Sequence, residues 1–80
     1  MSFGALGLAR DKVAWGARSL AHGEVESIEL FDSSPVALRV MKRGKVLPWA
    51  KARLEDIPNP RVALELASEL GLPVRGRELL

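Results

Sequence analysis

The chain has 80 residues with no cysteine and a single histidine, which excludes disulfide staples and a histidine-clustered metal staple and leaves room for one domain. Apolar residues make up 48% and charged residues 28%, a globular balance that excludes a disordered tail, and no run of about 18 apolar residues is long enough to cross a bilayer. The net charge of +2 is too small to demand a polyanionic partner by itself. A chain of this size buries only about 60% of the surface its unfolded form exposes, so self-association is the remaining route to stability and a homodimer is expected. The start, Met1-Ser2-Phe3-Gly4-Ala5-Leu6, lacks the basic flank of a secretory signal, which points to a cytoplasmic location. Thr, Gln, Tyr and Cys are absent and Asn occurs once. Loss of thermolabile residues is a thermophile tendency, although usage rich in Arg, Ala and Leu fits a base-composition bias equally well.

In chain order, Phe3 to Leu8 alternates weakly, with Gly4 and Gly7 inside it. Arg10-Asp11-Lys12 reads as a polar turn into a second strand carrying Val13 and Trp15, and Gly16-Ala17 as a further turn before Ser19-Leu20. Between Gly23 and Leu30 the period shifts: Val25 and Ile28 are spaced as on a helical turn, Ile28 and Leu30 as on a strand. A turn or bulge feeding a strand reconciles the two. Asp32-Ser33-Ser34-Pro35 is a break. The clearest strand follows, with Val36, Leu38 and Val40 on one face and Ala37, Arg39 and Met41 on the other.

Lys42-Arg43-Gly44-Lys45 predicts a hairpin turn. The segment Val46 to Leu54 returns as a strand, at an edge or bent, because Pro48 cannot donate to a ladder. Asn59 as N-cap and Pro60 at the first position open a helix over 60–70 with an apolar stripe of Val62, Leu66 and Leu70. Gly71 terminates it, and Leu72 is placed to pack back onto it.

The sequence therefore predicts an α+β fold, an antiparallel sheet or partial barrel of about five strands closed by one C-terminal helix. The strands fall within 3–54, and residues 71–80 form a tail that packs on a partner or frays. The expected core is Val13, Trp15, Ile28, Leu30, Val36, Leu38, Val40, Leu54, Val62, Leu66 and Leu70. Trp15 and Trp49 read as core or interface anchors.

The turn Glu24-Val25-Glu26-Ser27-Ile28, the basic hairpin after it, and the junction Trp49-Ala50-Lys51-Ala52-Arg53-Leu54-Glu55-Asp56-Ile57-Pro58-Asn59-Pro60 that leads into the helix resemble the corresponding parts of bacterial PH-like domains. The resemblance runs over residues 3–70. It implies a binding or scaffolding module with no enzymatic activity and no catalytic residues to transfer. No cofactor is expected. A full PH-like barrel has seven strands, two more than the pattern here accommodates, and the open edge this leaves is another reason to expect a dimer.

No catalytic constellation is visible. His22 lacks a nucleophile with triad context and reads as a solvent-facing turn residue. Glu24 and Glu26 alternate with apolar residues, and Glu55-Asp56 lie at a helix entry, so both pairs read as structural. One feature has functional content. Arg39, Lys42, Arg43, Lys45, Lys51 and Arg53 are six of the twelve basic residues, no acidic residue falls between Pro35 and Leu54, and Trp49 lies among them. A basic ribbon with an aromatic suits an anionic partner such as nucleic acid or lipid headgroups. The same ribbon also suits a protein partner, or a solvated face that keeps an edge strand from aggregating. The charge excess is weak for a nucleic-acid binder.

Overall fold

Eight short strands in two four-stranded sheets and one α-helix account for the chain in a computed structural model that describes residues 1–80. The first sheet is an antiparallel meander of β1 (Ser2–Phe3), β2 (Leu6–Leu8), β3 (Lys12–Trp15) and β4 (Arg18–Ala21). Its cross-strand rows follow from two-residue alternation. Leu8, Val13 and Leu20 form one row, and Leu6, Trp15 and Arg18 the next row on the same face. Leu6, Leu8, Val13 and Leu20 are buried. Arg18 ends this inward face.

The second sheet has the order β7 (Ala50–Arg53), β6 (Ala37–Lys42), β5 (Val25–Phe31), β8 (Val74–Arg75). Its inward rows are Ile28–Val40–Ala50 and Leu30–Leu38–Ala52. Ile28, Leu38 and Val40 are fully buried and, with the inward rows of the first sheet, form one core. The expected bulge is present between Val25 and Ser27, where β5 shifts register against β6.

Helix α1 (Pro60–Glu69) lies against β2 of one sheet and β8 of the other, so it covers the core where the two sheets part. Its end is a Schellman motif. The Gly71 N–H donates to the Ser68 carbonyl and the Leu72 N–H to the Ala67 carbonyl, both at 3.0 Å, with Gly71 at φ 87°. Leu72 is buried beyond it, as its position after the terminator predicts.

The α+β class, the antiparallel strand pairs and the helix near the C-terminus agree with the sequence, but several details do not. The strand count is eight, seven of them before the helix, because Gly4 at φ 67° folds residues 2–8 into a hairpin of their own. The two sheets stay separate and do not close into a barrel. The return strand begins only at Ala50, and residues 43–49 form a loop with Val46 and Leu47 exposed. The helix buries Ala63, Leu64 and Ala67, while Val62 is 49% exposed and Leu66 and Leu70 lie half-buried at the margin. Two alanines flanking Leu64 let the helix approach the sheets closely, which a Val62–Leu66–Leu70 contact would not. Trp15, Val36 and Leu54 are likewise half-buried, packed on the rim of the core. Asn59 occupies the N-cap position in the left-handed region, and its side chain makes no capping bond.

The tail is built into the fold. β8 runs parallel to β5, the Ile28 N–H donates to the Pro73 carbonyl at 2.9 Å, and Leu79 and Leu80 pack on the core. Gly76, at φ 80°, lies against the Leu30 backbone where a Cβ has no room. No helix is long and apolar enough to cross a membrane.

The rotated helix stripe makes a measurable distinction. Leu64→Ala should cost about 2–5 kcal/mol in urea unfolding, whereas Val62→Ala should stay within about 0.5 kcal/mol of the parent.

Candidate anionic-partner surface

The basic residues divide according to which face of β6 and β7 they occupy. Arg39 and Lys51 are cross-strand partners on the outer face of the second sheet, in one row with Glu29 of β5 and Arg75 of β8. On that face the Arg39 Nε donates to Glu29 Oε1 at 2.5 Å, and the Ser27 Oγ donates to Glu29 Oε2 at 3.0 Å. Both oxygens of a carboxylate that is only 12% exposed are thereby satisfied. The Phe31 ring carries the Arg39 guanidinium 4.4 Å from its centroid and the Lys51 Nζ at 5.3 Å. Arg39 is therefore neutralised and packed down. Arg53 reaches Glu55 Oε1 at 3.5 Å with both groups well exposed, a pair of small energetic weight.

Lys42 lies three positions from Arg39, so alternation puts it on the opposite face, at the end of the inward row Leu38–Val40. Arg18 ends the inward face of the first sheet in the same way. Between them, at the mouth of the space separating the sheets, is an open groove of about 630 Å³ lined by Arg18, Lys42, Lys45, Val46, Leu47 and Trp49, with Gly44 and Pro48 completing it. Arg18 ties the loop to the first sheet. Its Nη2 donates to the Trp49 carbonyl at 3.1 Å, and its guanidinium lies 4.7 Å from the Trp49 ring centroid. The loop is pinned at its start as well: the Arg43 N–H donates to the Glu24 carbonyl and the Arg43 Nε to the Gly23 carbonyl, both at 2.9 Å. The Lys45 N–H closes a turn on the Lys42 carbonyl at 3.1 Å.

Of the seven residues singled out in the sequence, Lys42, Lys45 and Trp49 share the groove. Arg43 braces it, and Arg39, Lys51 and Arg53 lie elsewhere. Arg18 was missed because it sits 24 positions before Lys42 in the sequence, and only its register opposite Trp15 marks it as inward-facing. Glu29 was missed as well, although its alternation with Ile28 and Leu30 places it on the outer face opposite Arg39. His22 departs from its solvent-facing reading. It is half-buried in the single turn His22–Glu24, and its Nε2 is buried without a hydrogen-bond partner. A second groove of about 410 Å³, between Val36, Leu54, Ile57 and Pro60, has Glu55 as its one charged group.

No protein-family model, no curated protein and no solved structure matches this chain. Its site is therefore read from its own geometry.

The two ion pairs should behave differently when neutralised. Glu29→Gln, which removes the charge from a doubly hydrogen-bonded and mostly buried carboxylate, should cost about 1.5–3 kcal/mol in chemical denaturation. Glu55→Gln at the exposed pair should cost less than about 1 kcal/mol.

Proposed function

We propose that this chain is a non-catalytic interaction module of the PH-like kind that meets an anionic partner at the groove between its sheets. The observation carrying this reading is the convergence there of Arg18, Lys42 and Lys45, none of them in an ion pair, around a loop whose apolar residues face solvent. Of the twelve Lys and Arg residues only Arg39 and Arg53 have carboxylate partners, so what distinguishes Arg18, Lys42 and Lys45 is their convergence on one groove. An anion entering the groove meets concentrated positive charge with low-dielectric walls, the arrangement that draws in a counter-charge. The PH-like part of this reading rests on the sequence resemblance over residues 3–70.

Replacing Lys42, Arg43 and Lys45 by Glu should abolish salt-sensitive retention on a polyanion column, while Lys51→Glu with Arg53→Glu should leave most of it. The reverse ranking, or unchanged retention in the first variant, excludes the groove.

Self-association belongs to the same proposal. β4 is an edge strand whose four residues include one charge, Arg18, and no proline, so it is less guarded than β7, where Lys51 and Arg53 stand at the edge. Sedimentation equilibrium should find a concentration-dependent dimer. A single monomeric species at every concentration would refute this part of the proposal.

A further inference from the structure

The reading of the groove as a site for an anionic partner leaves the class of that partner open, and the tip of its loop narrows it. Val46 is 91% exposed and Leu47 78% exposed, and they are adjacent. They account for two of the four large apolar side chains the fold leaves in solvent. Lys42, Arg43 and Lys45 precede them and Pro48 and Trp49 follow, with Arg18 on the opposite wall. Nothing in the fold requires this pair to be apolar, because neither contributes to the core. The loop is anchored at both ends, by Arg43 on the Gly23 and Glu24 carbonyls and by Trp49, whose N–H donates to the Val40 carbonyl at 2.8 Å. Its tip is therefore held out by the fold at a defined place.

A surface that demands aliphatic side chains and cations side by side is an anionic bilayer. Its headgroups take the charges, and the acyl boundary just below takes the apolar tip. We infer that the loop over residues 42–49 is a membrane-surface contact, in which Val46 and Leu47 enter the lipid interface and Arg18, Lys42, Arg43 and Lys45 hold anionic phospholipid headgroups around them.

Other polyanions fit less well. A single-stranded nucleic acid is held by stacking on open aromatic faces, but the Trp49 ring is covered by Arg18 and the Phe31 ring by Arg39 and Lys51. The groups exposed at the loop tip, Val46 and Leu47, are aliphatic and have no π face to offer. A protein partner fits less well because lysine is depleted from protein interfaces, whereas two lysines line this groove.

The test is co-sedimentation of the full chain with vesicles of mixed phosphatidylserine and phosphatidylcholine, with vesicles of phosphatidylcholine alone, and a parallel titration with single-stranded oligodeoxythymidine. The parent should partition onto the anionic vesicles and not the neutral ones. Val46→Ser with Leu47→Ser should weaken that partitioning about ten-fold or more, and Lys42→Glu with Lys45→Glu by about five-fold or more per residue. Both pairs lie on the surface, and circular dichroism of each variant should match the parent. Vesicle binding that survives the serine substitutions overturns the apolar insertion. Failure to bind either vesicle, or tighter capture by the oligonucleotide that ignores the serine substitutions, overturns the assignment to lipid. In both cases the charge-based reading of the groove would stand or fall separately, on retention by the polyanion column.

Discussion

Both sheets must turn an apolar row toward the same small volume, and almost every other feature of the molecule follows from that requirement. The first sheet contributes Leu8, Val13 and Leu20, the second Ile28, Leu38 and Val40, and Leu64 of the helix fills the side left open. With short strands and no covalent staple, stability depends on this burial and on the backbone ladders around it. Because strand residues alternate, committing one row to the core places the neighbouring row on the opposite face, where in the second sheet Ser27, Ala37 and Met41 are buried and Glu29 and Arg39 partly exposed. The positions of the charged residues are thus a consequence of the core, and so is the groove.

That consequence gives the two basic surfaces different characters. On the outer face of the second sheet, charges lie at close quarters across strands, and one carboxylate is fully satisfied: Glu29 takes both Arg39 and Ser27, and Phe31 supports the cations beside it. At the mouth between the sheets the inward rows run out, and their last residues, Arg18 and Lys42, emerge with no carboxylate in reach. On the outer face the Glu29 carboxylate is satisfied, although Lys51 and Arg75 in its row have no carboxylate partner. What sets the mouth apart is that its cations converge beside an exposed apolar tip, the combination a binding surface consists of.

The C-terminal ten residues show how a short segment completes a small fold. β8 extends the second sheet by pairing parallel to β5, and the backbone at Gly76 comes against Leu30 so closely that only glycine fits. With Leu72, Leu79 and Leu80 packed on the core, the tail supplies apolar surface that the short strands lack.

Much of this was legible in local chemistry. Alternation through residues 36–41 identified Val40 and Leu38 as core, the shift of period near Val25 marked the bulge, and Gly71-Leu72-Pro73 marked the helix end. The cluster of basic residues around Trp49 was visible as a cluster. Tertiary structure alone decided which of them act together, because Arg39 and Lys42 are near in sequence but on opposite faces, while Arg18 and Trp49 are distant in sequence and in contact. It also decided which side of the helix is buried, since the helical spacing of Val62, Leu66 and Leu70 is matched by Pro60, Ala63, Leu64 and Ala67, and only the small side chains let the helix close on both sheets. The parallel pairing of the tail lay beyond local reading for the same reason. Periodicity reports the faces of one element, and the choice among faces is made by what that element packs against.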